Sequence, residues 1–274
     1  AQWMPDGKSL LVVGNDRTTV GAWVQPLDGP THRLDTGDLV INGAFGYDIA
    51  VAAHSPAIAF TATTPDRPSE LYVLDSPGAK PRRLTNFNAW AKDVAWGKPE
   101  RVTWKSDAFE PDGVIVLPPG FSSDRHYPLV LLIHGGPQAS SKLSFSALAQ
   151  LMATEGWLVF QPNYRGSDNL GNGYMAAIVN DAGAGPGRDV MAGVAMLRGR
   201  PYVDRTRTAV TGWSYGGFMT SWLIGNYPDE WQAAMAGALL VEAVDRSESA
   251  LALAERAVRE TGCAERCKFT RAEV

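Results

Sequence analysis

The run Gly212-Trp213-Ser214-Tyr215-Gly216-Gly217 constrains this chain more than any other segment. It follows a short apolar, β-prone stretch at 208–211 and precedes a helical pattern at 216–225. In that context G-x-S-x-G is a sharp strand-to-helix turn that holds a serine hydroxyl clear of a sheet. A side chain at either flanking glycine would collide with the neighbouring strand or helix. The helix behind the turn offers unpaired N–H groups to developing negative charge. Ser214 is therefore the candidate nucleophile, and the Tyr215 N–H a candidate oxyanion donor. The plainer alternative is an ordinary glycine-rich connection between a strand and a helix.

A second motif, His134-Gly135-Gly136-Pro137, closes a continuous apolar run at 129–134. A loop of this type donates a backbone N–H to the oxyanion, beside the N–H that follows the nucleophile. The donor would be Gly136, or else Gly135, because glycine lets backbone approach a substrate carbonyl without an intervening Cβ. The alternative is a strand-ending turn packed by its imidazole. His134 is not the expected base. The triad on this type of turn runs serine, then acid, then histidine, whereas His32, His54, His126 and His134 all precede Ser214. Asp189 precedes it too, and reads as a helix-start or salt-bridge residue.

Around these motifs, strand-like runs at 114–117, 129–134, 157–160 and 208–211 alternate with helical patterns at 145–155, 190–198 and 216–225, and a weaker strand follows at 233–238. Apolar runs without polar alternation fit a parallel sheet buried on both faces. The first ~95 residues differ: short β-prone runs punctuated by Gly, Pro and Asp recur at about 48 residues. Leu10-Leu11-Val12-Val13 is echoed by Ala57-Ile58-Ala59-Phe60, and His32-Arg33-Leu34 by Arg82-Arg83-Leu84. That period suits β-propeller blades, though two units cannot close a ring of ~4–8; a small β-meander is the alternative.

Three motifs in order, His134-Gly135-Gly136-Pro137, Pro162-Asn163-Tyr164-Arg165-Gly166-Ser167 and Gly212 through Thr220, resemble the prolyl oligopeptidase family of serine peptidases, in its dipeptidyl-peptidase and acylaminoacyl-peptidase branch. The resemblance implies an α/β hydrolase fold, here an incomplete parallel sheet with flanking helices, preceded by β-propeller-like blades. It divides the chain into part of a propeller (1–98), the front of a peptidase domain (99–241) and an atypical helical tail (242–274). It implies that Ser214 attacks the carbonyl of a short peptide and forms an acyl-enzyme. It also places His134, Gly135, Tyr164 and Arg165 in loops near the substrate, with loop packing as the alternative for Tyr164 and Arg165.

The chain departs from the family in its last part. The residues after Ser214 hold no histidine, so the triad acid and base have no counterpart, and the resemblance stops near residue 241. A truncated or frame-shifted gene product is the expectation, as is a missing authentic N-terminus, since the chain opens without Met into a turn. An esterase on the same fold, or an inactive hydrolase kept as a binding module, are the competing readings.

Composition removes other classes. Lys and Arg number 25 against 29 Asp and Glu, a formal charge of −4 with no basic stripe, which disfavours nucleic acid. No apolar run approaches the ~18–20 residues of a membrane span. Cys263 and Cys267 alone make neither a disulfide framework nor a zinc site. No cofactor or metal is expected, and nothing in the sequence sets an oligomeric state.

Overall fold

A computed structural model describes residues 1–43 and 46–236. The expected tail at 242–274 lies outside the described residues.

The N-terminal part is two antiparallel sheets of similar plan. The first joins β1 (Gln2–Trp3), β2 (Ser9–Asp16), β3 (Thr19–Pro26) and β4 (His32–Arg33) in that order. The second contains β5 (Val40–Ile41), β6 (Ile49–Val51), β7 (Ile58–Thr64), β8 (Arg67–Leu74) and β9 (Arg82–Arg83). The sequence repeat is a repeat of structure. Trp23 pairs with Arg33 and Val24 with His32 in the first sheet, as Tyr72 pairs with Arg83 and Val73 with Arg82 in the second. Alternating residues of both sheets, including Leu11, Val24, Ile58, Phe60 and Leu74, meet in one shared core. Period-two burial of this kind is what a half-buried strand requires. Glu70 is 2% exposed there. Burial pushes its carboxyl up, but hydrogen bonds from Thr85, Asn88 and Phe87 prevail and hold it below the usual glutamate range.

The remainder is a six-stranded sheet flanked by helices. Its strands are β10 (Lys98–Thr103), β11 (Asp112–Leu117), β12 (Tyr127–Ile133), β13 (Leu158–Asn163), β14 (Val203–Gly212) and β15 (Ala233–Ala236), in the order β10-β11-β13-β12-β14-β15. The expected all-parallel sheet needs correction. β12, β13, β14 and β15 run parallel, but β10 and β11 pair antiparallel, as do β11 and β13. The short link from Thr103 to Asp112 carries no crossover helix, so the two strands it joins form a hairpin.

Helices α1 (Ala147–Thr154), α2 (Asn172–Ala176), α3 (Ala184–Arg198) and α4 (Tyr215–Asn226) connect the parallel strands. Ser146 caps α1 by accepting from Ala149 N at 3.3 Å. α3 starts six residues before the expected 190, through an Ala-Gly-Pro-Gly segment. Pro186 falls in its first turn, where a missing N–H costs no helical hydrogen bond. Gly187 is required by packing, since a Cβ there would lie 2.1 Å from the Trp222 ring of α4. The core of this layer, built on Leu129, Leu131, Ile133, Phe160, Val190, Val194 and Leu223, holds β12 and β14 rigidly side by side. Their C-terminal ends carry the two glycine motifs to the same place.

Candidate active site

β14 ends at Gly212 and α4 begins at Tyr215, leaving Trp213 and Ser214 as the whole turn. Ser214 has φ 55° and ψ −120°, a conformation that L-residues rarely adopt, and its side chain makes no capping bond. It is exposed. The neighbouring glycines explain how so tight a corner exists. A Cβ on Gly216 would stand 2.1 Å from the Ile133 carbonyl oxygen, and one on Gly212 2.4 Å from that of Gly216. Both are contacts with backbone, which cannot move aside. The turn is locked by Gly216 N–H donating to Trp213 O at 2.8 Å and Gly217 N–H to Ser214 O at 2.9 Å.

The His134-Gly135-Gly136-Pro137 bend lies directly against this corner. A Cβ on Gly135 would stand 2.9 Å from Trp213 O and 3.1 Å from Ser214 Cβ. Gly136 has φ +121°, which a side chain would strain. The Tyr215 N–H is the first of α4 and has no intrahelical acceptor, as for every residue in the first turn of a helix. Two glycine-bearing loops from β12 and β14 therefore meet at the serine.

The His134 imidazole is tied up in this framework. Nδ1 lies 2.7 Å from Gly135 O and Nε2 3.0 Å from Ser167 Oγ. A carbonyl only accepts, so the Gly135 contact calls for a proton on Nδ1, while the single hydroxyl proton of Ser167, beside Nε2, is donated to Tyr164 O at 2.7 Å. Burial lowers the imidazole to about 4, against opposing contributions from the Gly135 hydrogen bond and Asp168, while Lys142 adds to the lowering. At neutral pH the ring is uncharged. This is a structural histidine, in agreement with the chain-order argument against a base.

Tyr164 and Arg165 sit behind the loop rather than on its open face. Tyr164 is fully buried, donates its hydroxyl to His134 O at 2.7 Å, and stacks on the imidazole with centroids 4.5 Å apart. It also stacks on Tyr215 at 5.5 Å. Burial raises both phenols well above their ordinary range. Arg165 is 7% exposed and grips Asp189, Nε at 2.9 Å and Nη2 at 2.6 Å, while Asp189 also accepts the Arg165 N–H at 2.8 Å. Asp189 is thus the salt-bridge residue expected from sequence. Asp107, which sequence reasoning missed, bridges Arg165 and Arg188. It lies far away in sequence and in no motif, so no local signal marks it.

The other histidines are elsewhere. His32 lies in β4, His54 follows β6, and His126 precedes β12, at the opposite end of the sheet from Ser214. A cavity of about 570 Å³ at that opposite end is lined by His126, Arg200, Val203 and Asp204; it does not include the glycine motifs. Among the described residues no cluster of His, Cys, Asp and Glu could hold a metal ion, and no helix is long and apolar enough to cross a membrane.

Comparison with known proteins agrees with the geometry. The sequence profile of the prolyl oligopeptidase family matches residues 143–271, past the point where the resemblance was expected to end. The uncharacterized peptidase YuxL of Bacillus subtilis is 30% identical over 226 residues, covering 81% of this chain and 34% of that protein. Dipeptidyl-peptidase 5 of Porphyromonas gingivalis is 27% identical over 256 residues, covering 86% of this chain and 34% of the relative. Among solved structures, an acylaminoacyl peptidase in complex with Z-Gly-Gly-Phe-chloromethyl ketone superposes with a TM-score of 0.72 at 26% identity, over 84% of this chain and 35% of that one. The Pyrococcus horikoshii acylaminoacyl peptidase gives 0.71 at 26%, over 82% and 35%. The chain thus spans about a third of the length of each relative.

Proposed function

We propose, from the premise that this chain belongs to the prolyl oligopeptidase family, that it carries the nucleophile half of a serine peptidase site for short peptides. Ser214 attacks the peptide carbonyl and becomes acylated; water then releases the acyl group. The oxyanion is received by the N–H groups of Gly136 and Tyr215, held on two rigid strand ends before any charge develops. The observation that carries this reading is the strained Ser214 corner packed against Gly135. The peptide substrate is supported by the peptide-like ketone in the acylaminoacyl peptidase structure and by the names of the relatives. The two repeated antiparallel sheets are read as propeller blades that cap the site.

Among the described residues, no side chain hydrogen-bonds the Ser214 hydroxyl as a base would. All four histidines precede Ser214, and His134 is engaged at both ring nitrogens. The triad acid and histidine are therefore assigned to sequence that these 274 residues do not include. Without them the serine hydroxyl keeps its ordinary, weak nucleophilicity, and the loss amounts to several orders of magnitude in rate.

A fluorophosphonate probe tests this. The chain alone should label at Ser214 barely or not at all, and a version extended with the missing acid and histidine strands should label readily. Absence of labelling in both would favour a binding module over an enzyme. In the extended version, hydrolysis of aminoacyl-proline or N-acylated peptide substrates, in preference to simple esters, separates peptidase from esterase.

A further inference from the structure

Three buried side-chain oxygens have no hydrogen-bond partner among the described residues and lie on one closed circuit of contacts: Asp112 Oδ2, Asn169 Oδ1 and Thr18 Oγ1. At the tip of the β2–β3 hairpin, the Arg17 N–H donates to Asn169 O at 3.2 Å. Asn169 Nδ2 donates to Asp112 Oδ1 at 2.6 Å, as does Asn163 Nδ2 at 2.9 Å. Asn163 also bonds Ser141 both ways, accepting from its N–H at 2.7 Å and donating to its carbonyl at 3.1 Å. The Leu143 N–H donates to Thr18 O at 2.8 Å, which returns the circuit to the hairpin tip. The first N-terminal sheet is thereby joined to the start of β11 and the end of β13.

The circuit carries a charge that nothing on it balances. Asp112 is fully buried, and among the described residues it takes part in no ion pair. Both of its hydrogen bonds fall on Oδ1 and come from neutral amides. A buried carboxylate is strongly unfavourable without a positive partner. Asn169 cannot relieve it further, because its free atom is a carbonyl-type oxygen that only accepts. Free oxygens on two groups already bonded to each other are a donor set for a hard cation. One carboxylate matches one positive charge, whereas calcium takes six to eight oxygens and binds more tightly as carboxylates are added.

We propose that this circuit binds a monovalent alkali cation, sodium or potassium, with Asp112 Oδ2 and Asn169 Oδ1 among its ligands. The ion neutralises Asp112 and ties the hairpin tip to the six-stranded sheet. With a single carboxylate and neutral oxygens, the site differs from a cluster of His, Cys, Asp and Glu. It is independent of the serine chemistry.

Melting of the full chain in chloride salts at constant ionic strength tests this, with tetramethylammonium, too large to enter, as the reference cation. Sodium or potassium should raise the melting temperature saturably, by about 2–4 °C or more at concentrations well above half-saturation. The same cation should slow hydrogen exchange of the Arg17 amide, followed by nuclear magnetic resonance. Asp112→Asn should abolish both responses and melt in tetramethylammonium no lower than the parent, since its Nδ2 can donate to Asn169 Oδ1 and no charge is left to balance. Identical melting in all three salts would overturn the proposal, as would a sodium or potassium response that survives in Asp112→Asn. A saturable response to calcium alone would overturn the monovalent assignment. Should Asp112→Asn not fold, the salt series and the Arg17 exchange on the unaltered chain still decide.

Discussion

Gly135 and Ser214 approach so closely that a single methyl group on the glycine would stand 3.1 Å from the serine Cβ. The two residues come from loops after different strands, β12 and β14, which are hydrogen-bonded neighbours over Leu129–Ile133 and Thr208–Gly212. Strand pairing thus brings the serine corner and the glycine bend together, and glycine allows the last ångström of approach.

The strain at Ser214 has a measurable sign. Glycine adopts φ 55°, ψ −120° without a Cβ clash, so Ser214→Gly should raise stability by about 1 kcal/mol despite the greater entropy of the unfolded chain. Urea denaturation checks this; a loss of stability would mean that the serine conformation is not strained.

Gly216→Ala should do the reverse. Its Cβ would fall 2.1 Å from the Ile133 carbonyl oxygen, and relief would require β12 and α4 to separate. A cost at or above ~3 kcal/mol is expected, the upper end for overpacking. A melting temperature equal to that of the parent would contradict the close approach.

Asp189→Asn should destabilise the chain by ~3–5 kcal/mol, because it leaves the Arg165 guanidinium buried without its carboxylate. Asp107 is half exposed and pairs with the same arginine from the solvent side, so Asp107→Asn should cost far less. Equal effects of the two variants in chemical denaturation would refute the buried pair as the anchor of the Tyr164–Arg165 loop.

Acid should loosen the fold through His134. Its folded value, about 4, is below the ordinary 6.5. Between those values the unfolded chain binds a proton that the native chain does not. Stability is therefore lost as pH falls from 6.5 toward 4, by on the order of 3 kcal/mol, and the loss levels off below that. Unfolding free energies at pH 7 and pH 4.5 should differ less in His134→Gln than in the parent chain; identical pH dependence in the two would show that the ring titrates normally.

Much of the site was legible in advance because its determinants are local. A serine between two glycines, after an apolar strand and before a helix, has one economical conformation, and Ser214 adopts it. The repeat at about 48 residues was legible for the same reason: each unit is a meander whose turns are written in adjacent residues. The antiparallel direction of β11 was not, because an apolar run that is buried on both faces looks alike in either direction, and its partner β10 is polar and largely exposed, so no apolar run marks it. The early start of α3 was hidden by glycines that propensity counts against a helix. Gly187 is there for the Trp222 ring, which lies on another helix, and Gly185 for the Asp181 and Arg165 side chains.

By itself, the sequence determined the elbow, the glycine bend and the alternation of strand and helix that sets them at one end of a sheet. Backbone sterics and hydrophobic periodicity act over a few residues, so they can be read without a partner. Only the tertiary structure decided that Tyr164 is buried and stacks on both His134 and Tyr215, and that Arg165 is consumed by Asp189 and Asp107. Stacking and ion pairing join residues that are remote in the chain, and their partners are chosen by how the layers pack.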